Sequence, residues 1–245
     1  MKKVVFNADD LGLSPEVNRA IIESFEKGVV RSCSLLVNVP YTEDGIALVK
    51  NTTLDVGLHL NLAIGKSLTD SRSLVKDGIF HGAYRFLIRY FLGMINIKEV
   101  EREIRAQIEM FQKMGFALNH IDSHWHLHCL PKIFDVVVKL AYEYDIKKIR
   151  MPYYTSSFSL KAFFVLFVSR LCREDFKNVK TVIGLGTILR KLKYCENNLT
   201  ELMVHPSYDA KLYRGGRSEL KVLVSTILKE KLREKELVVV GFNDV

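Results

Sequence analysis

Apolar, β-rich runs alternate with amphipathic helical stretches along the whole chain, and this alternation restricts the fold more than any other feature. Strands are predicted at Lys3–Ala8, Ser32–Val39, Leu54–Leu62, Ala117–Asp122, Lys147–Met151, Val179–Ile183, Glu201–His205 and Leu237–Gly241. Helices are predicted at Pro15–Lys27, Lys98–Met114, Pro131–Tyr144 and Ser218–Lys235. Ser14 suits the N-cap of the first helix and Pro15 its first turn. Strands that are apolar almost throughout are buried on both faces, as parallel strands covered by helices are. The expectation is an α/β fold: an irregular (β/α) barrel of seven or eight mostly parallel strands, forming one domain over residues 1–245. A doubly wound open sheet is the second choice. A chain of 245 residues suits one such barrel.

Two stretches break the alternation and are read as insertions, at about 65–97 and 153–175. The first carries Tyr84, Phe86, Tyr90 and Phe91; the second carries the apolar run 153–172 with Phe163, Phe164 and Phe167. Connections this long in a compact domain tend to be lids, binding loops or extra elements. The run 153–172 is interrupted by Lys161 and Arg170 and is too short to span a bilayer, which takes ~20 apolar residues. It is read as a buried helix or as a peripheral membrane contact.

Hydrophobic residues make up 48% of the chain and charged residues 26%, enough to build a core and too apolar for disorder. The net charge of +8 permits an acidic partner without requiring one, and no nucleic acid is expected as a partner. Cys33, Cys129, Cys172 and Cys195 form no C-x-x-C pair, which argues against a disulfide framework or a cysteine zinc site. The apolar run after Lys2 and Lys3 stops at Asn7, short of the ~7–15 residues of a secretory signal. A cytoplasmic location is therefore expected, or one peripheral to the inner face of the membrane. Oligomeric state is left open, a homodimer being compatible with the sequence.

Chemistry-bearing residues collect where strands end. Asn7-Ala8-Asp9-Asp10 follows the first strand, and adjacent carboxylates repel unless a cation or hydrogen bonds separate their roles. His59 lies late in the third strand, within Gly57-Leu58-His59-Leu60. Four of the seven histidines, His120, His124, His126 and His128, fall within nine residues after another apolar run. In extended chain His120, Asp122 and His124 share a face, whereas in a helix His124 and His128 do. Either arrangement converges imidazoles, as a transition-type metal requires. His205, before Pro206, ends a late strand. In βα folds the C-terminal strand ends meet on one face, so these residues are read as one metal site.

The motifs Asn7–Ser14, Gly57–Leu60, His120–His128 and Val204-His205-Pro206 resemble, in order over nearly the whole chain, those of the YdjC-like (ChbG-type) carbohydrate deacetylases. The resemblance extends to the closing Gly241–Val245. It implies an irregular barrel, a divalent metal and removal of an N-acetyl group from an amino sugar. It makes Asp10, His59 and His124 the metal ligands, Asp9 the catalytic base and His205 the acid; His128 matches a further histidine, taken as substrate-binding or supporting. The chain departs at Trp125, where relatives often carry a third consecutive histidine. Mg²⁺ is the ion implied by the resemblance, while two imidazoles and a carboxylate suit Zn²⁺ by ligand chemistry. The expected partner is an acetylated amino sugar, chitooligosaccharide-like or linked to a lipid or nucleotide. A metal-dependent phosphoesterase is the alternative enzyme, and a basic nucleic-acid or membrane-surface module the alternative without catalysis.

Overall fold

The computed structural model describes residues 2–154, 179–183, 188–195, 198–213 and 215–245. Its strands are β1 (Lys2–Leu11), β2 (Ser32–Leu35), β3 (Asp55–Leu60), β4 (Val75–Lys76), β5 (Ile79–Phe80), β6 (His120–Ser123), β7 (Lys148–Tyr154), β8 (Val179–Ile183), β9 (Leu199–Val204) and β10 (Leu237–Val239). All but the β4–β5 hairpin join one parallel sheet in the order β10-β1-β2-β3-β6-β7-β8-β9, and β9 also pairs with β1. Seven strands thus curl into a ring, while β10 lies beside the start of β1, Lys2 opposite Leu237. Each of the eight predicted strands is present, in the irregular parallel barrel that their apolar character implied.

Neighbouring residues of β1 show how the ring is filled. Val4, Phe6 and Ala8 belong to the large core shared with Val17 and Ile21 of the first helix, α1 (Pro15–Glu26). Val5 packs separately against Val240 and Phe242, and Asn7 and Asp9 follow it at the period of two that keeps side chains on one face of a strand. The Asn7 amide donates to Ser34 Oγ at 2.8 Å, and its oxygen accepts from Ser32 Oγ at 2.7 Å. Apolar packing therefore lies between strands and helices, whereas the inside of the ring is polar.

The base of the ring is closed by the C-terminus. Lys148 Nζ donates to the Phe242 carbonyl at 2.6 Å, and the Asn243 N–H donates to Asp55 Oδ2 at 2.7 Å. The Phe242 ring lies 4.1 Å from the buried His120 ring, whose Nδ1 donates to Asn119 Oδ1 at 2.6 Å. Gly57 makes room for that imidazole: a Cβ there would lie 2.2 Å from the His120 ring. With His120 held on both sides, Gly57→Ala should destabilise the fold by about 3 kcal/mol, the upper end of ordinary overpacking. Urea unfolding checks this; an unchanged midpoint would mean that the ring moves aside freely.

The helices depart from expectation in two places. Ser14 does cap α1, its side chain accepting from the Val17 N–H at 3.2 Å. Helix α2 (Thr42–Val49) was not predicted, because Gly45 interrupts its pattern; a Cβ on Gly45 would lie 3.1 Å from the Leu11 side chain, so the glycine permits close packing on β1. The single helix expected over Ser218–Lys235 is two, Gly216–Leu223 and Thr226–Glu234, because Ser225 starts the second by accepting from the Leu228 N–H.

The stretch read as the first insertion contains the β4–β5 hairpin and α3 (Ala83–Phe91). It is tied to α4 (Ile97–Lys113) by Glu103, which accepts from the backbone of Leu68 and Thr69. Of the second insertion, 153–175, and its apolar run, everything beyond the end of β7 lies outside the described residues. Among the described residues no helix is long and apolar enough to cross a membrane.

Candidate metal centre and its surroundings

Local backbone irregularities aim the predicted residues into one mouth of the ring. Adjacent strand residues normally face opposite ways, yet Asp10 meets His59 and His124 while Asp9 reaches His205 beside them. The register of β1 against β2 shifts between Ala8 and Leu11, and Asp10 takes a left-handed φ of 70°. A bulge of this kind re-aims a side chain beside a site. His59 and Asp122 are direct neighbours on β3 and β6, so both lean inward. Beyond β6 the chain turns through His124, with Trp125 at φ 63° and His126 at φ 54°.

Asp10, His59 and His124 converge: Asp10 Oδ1 lies 3.1 Å from His59 Nε2 and 2.7 Å from His124 Nδ1. The three groups each offer one ligand atom, all within 4.8 Å of one another. Donors of one ion held at about 2.1 Å and at right angles would be about 3 Å apart, so the spacing fits a single cation. Tautomer chemistry points the same way. His59 Nδ1 donates to Asp122 Oδ1 at 2.6 Å, leaving a lone pair on Nε2 aimed at the Asp10 carboxylate. A lone pair on Nε2 facing a buried carboxylate requires a positive charge between the two, either a proton on Nε2 itself or a metal ion in its place. Burial alone would depress the His59 pKa, but Asp122 and Asp10 raise it well above the ordinary imidazole value. Burial would likewise raise the Asp10 pKa, and His124 and His59 hold it well below instead. The carboxylate–histidine pair Asp122–His59 is the usual support that orients an imidazole ligand.

Asp9 faces a different partner. Arg150 on β7 grips it with both nitrogens, Nη1 to Oδ2 at 2.5 Å and Nη2 to Oδ1 at 2.7 Å. The same guanidinium reaches Asp122 Oδ2 at 2.7 Å and Glu201 Oε1 from Nε at 2.9 Å. All four residues are at most 3% exposed. The three carboxylates raise the Arg150 pKa well above its ordinary value against the opposing effect of burial. His205 Nε2 stands 3.9 Å from Asp9 Oδ2, and its backbone N–H donates to Glu219 Oε2 at 2.6 Å. Tyr213 donates its hydroxyl proton to Asp10 Oδ2, and its ring lies 5.0 Å from that of His205.

The predicted residues thus divide by position. Asp10, His59 and His124 meet, and Asp9 and His205 stand beside them. His128 is buried away from the cluster: its ring bonds Ser123 Oγ at 2.5 Å and the Arg150 carbonyl at 2.9 Å, and burial lowers its pKa to about 4. It braces β6 against β7 and supports Arg150 from its backbone side. His120 serves the base of the ring. Sequence reasoning missed Arg150, Glu201 and Tyr213. For the first two a signal existed, since each is a charged residue inside a predicted strand at an inward position.

Comparison with known proteins identifies the family and the fold. The model of the YdjC-like protein family matches residues 3–237. A carbohydrate deacetylase of Brevibacillus brevis is 31% identical over 252 residues, covering 99% of both chains. A carbohydrate deacetylase of Vibrio parahaemolyticus is 33% identical, covering 98% of this chain and 95% of its own. The crystal structure of a putative cellobiose-phosphate cleavage protein from Enterococcus faecalis superimposes with a TM-score of 0.82 at 27% identity, covering 99% of this chain and 98% of that one. The polar-centred parallel barrel described above is accordingly that of a member of the YdjC-like protein family, to which this chain belongs.

Proposed function

We propose that this protein is a metal-dependent carbohydrate N-deacetylase that hydrolyses the acetamide of an amino sugar to acetate and a free amine. The observation that carries the reading is the convergence of Asp10, His59 and His124 on one point, with Asp9 and His205 adjoining it. The names of the similar proteins from Brevibacillus and Vibrio support the substrate class. A divalent ion bound by Asp10, His59 and His124 would supply a water of pKa near ~7 and polarise the acetyl carbonyl. Zn²⁺ suits the two imidazoles and one carboxylate, while the family resemblance implies Mg²⁺.

The chain's own groups then divide the proton transfers. Asp9 accepts the proton of the attacking water as a carbon–oxygen bond forms. Its two oxygens are fixed by the Arg150 fork, and Asp122 and Glu201 share that cation's charge, so Asp9 is oriented without receiving the guanidinium alone. His205, part-exposed on the same side, gives a proton to the departing nitrogen as the carbon–nitrogen bond breaks. Tyr213 holds the second oxygen of Asp10 and so fixes the carboxylate that faces both imidazoles.

The phosphoesterase alternative calls for two metals 3.5–4 Å apart. The second acidic group, Asp9, His59 and Asp122, shares His59 with the first, and Arg150 already bridges its two carboxylates. The guanidinium provides there the charge that a second ion would bring.

The test is acetate release from N-acetylglucosamine and its oligomers. Asp9→Asn should lower kcat by ~10²- to 10⁴-fold, the usual worth of a positioned base. Undiminished turnover in that variant, or phosphate release from a generic phosphate ester with no acetate release from the sugars, would overturn the reading.

A further inference from the structure

We propose that Trp125 and Tyr84 form a shelf beside the metal centre on which a pyranose ring of the substrate lies. This rests on the deacetylase reading and adds the residues that recognise the sugar. Trp125 directly follows the ligand His124, and its indole lies 6.4 Å from the His124 ring, edge to face. Tyr84, at the start of α3, meets the indole at 5.3 Å and 66°, so the two rings make a corner. Trp125 is 36% exposed and Tyr84 is 73% exposed.

The backbone beneath the indole is strained to produce this arrangement. Trp125 and His126 are successive non-glycine residues in the left-handed region, at φ 63° and 54°. Each such residue costs roughly 1–2 kcal/mol, and strain of this sort persists where the surroundings impose it, most often at functional sites. Here the turn sends the His124 imidazole inward to Asp10 while the next side chain stands part-exposed at the mouth.

The chemistry of the shelf selects a sugar. A pyranose has faces of C–H groups edged by hydroxyls, and a flat aromatic ring covers such a face while leaving the hydroxyls to water. The acetamide nitrogen is bonded directly to the sugar ring. With the acetyl carbonyl at the three ligands, that ring must lie in the immediate neighbourhood of His124, where the indole is. The insertion carrying α3 thus supplies one wall of the sugar site, and the turn after β6 supplies the other.

Trp125 is the one tryptophan in the chain, so selectively excited tryptophan emission reports on the shelf alone. The probes are N-acetylglucosamine and N,N′-diacetylchitobiose, titrated against the intact protein, with glycerol as a control. The expected result is a saturable change in emission with the sugars and none with glycerol. Trp125→Ala should raise KM on the disaccharide on the order of 10- to 100-fold with kcat nearly unchanged, as loss of an aromatic anchor does. Trp125→Phe should recover most of that loss, and the urea midpoint of both variants should stay near that of the parent. Acetate release with no fluorescence response and unchanged KM in Trp125→Ala would overturn the shelf and leave the deacetylase reading standing. A fluorescence response with no acetate release from either sugar would support the shelf and overturn the reaction. Loss of kcat and stability together in both variants would assign Trp125 to the framework and overturn the shelf.

Discussion

Replacing Arg150 by leucine should cost this protein more stability than any other single substitution at the site, on the order of 3–5 kcal/mol. The guanidinium is the shared cation of Asp9, Asp122 and Glu201, all of them buried with it. Removing one partner from a buried ion pair leaves uncompensated buried charge, and here three carboxylates would be left together. A leucine fills part of the volume but offers none of the hydrogen bonds. Arg150→Lys should recover only part of the loss, since an ammonium cannot present the fork that holds both oxygens of Asp9. The effect should also depend on pH in a definite direction. Burial already raises the Glu201 pKa against the pull of Arg150, and without the guanidinium it would rise further. A carboxyl whose folded pKa exceeds its unfolded value near 4.3 stabilises the fold below that value and loses the contribution as pH rises. The gap between parent and Arg150→Leu in urea unfolding should therefore widen from about pH 4 upward. A gap that is under 1 kcal/mol and flat with pH would show that the cluster is neutralised in another way.

How much of this was legible beforehand depends on which face of a strand is considered. The runs around Val4-Val5-Phe6 and Leu58 announced parallel strands because both faces of each are covered. The polar residues inside the ring were harder to read. In β1 the outward Val4, Phe6 and Ala8 carry the apolar signal, and the inward Asn7 and Asp9 look like the end of a strand although β1 continues to Leu11. Arg150 and Glu201 were hidden in the same way, as charges within runs whose apolar members face the helices. The cluster of Asp10, His59 and His124 was legible because its residues lie at or just past the C-terminal ends of their strands. Its geometry was not, since the bulge at Asp10 and the left-handed turn at Trp125 and His126 are imposed by tertiary contacts. Helix α2 was missed where Gly45 serves close packing on Leu11, and the break at Ser225 where a side chain caps a new helix inside a continuous amphipathic pattern. In both cases a local device overrides periodicity.

The arrangement around His59 leads to the second large effect, a graded loss of metal affinity that separates a ligand from its support. Asp10→Asn removes the anionic donor shared by both imidazoles. An amide oxygen carries no charge to oppose the ion, so saturable binding of Zn²⁺ or Mg²⁺ should disappear from calorimetry, and acetate release should fall by at least about 10³-fold, corresponding to roughly 4 kcal/mol. Asp122→Asn leaves all three ligands in place, weakens the hydrogen bond that holds the His59 ring with Nε2 toward Asp10, and removes one of the three carboxylates around Arg150. Loss of such a support weakens metal affinity by ~10- to 100-fold, and activity should return when the ion is raised in proportion. Thermal unfolding provides a measure independent of turnover. An ion that binds the folded chain alone adds about 2.7 kcal/mol when present at one hundred times its Kd, so the parent's midpoint should climb with added ion. The Asp122→Asn midpoint should climb only at higher concentrations, and the Asp10→Asn midpoint should stay where it is. If Asp10→Asn kept the parent's ion-dependent shift, the ion would be held elsewhere, and the meeting of Asp10, His59 and His124 would be a hydrogen-bonded cluster and no more.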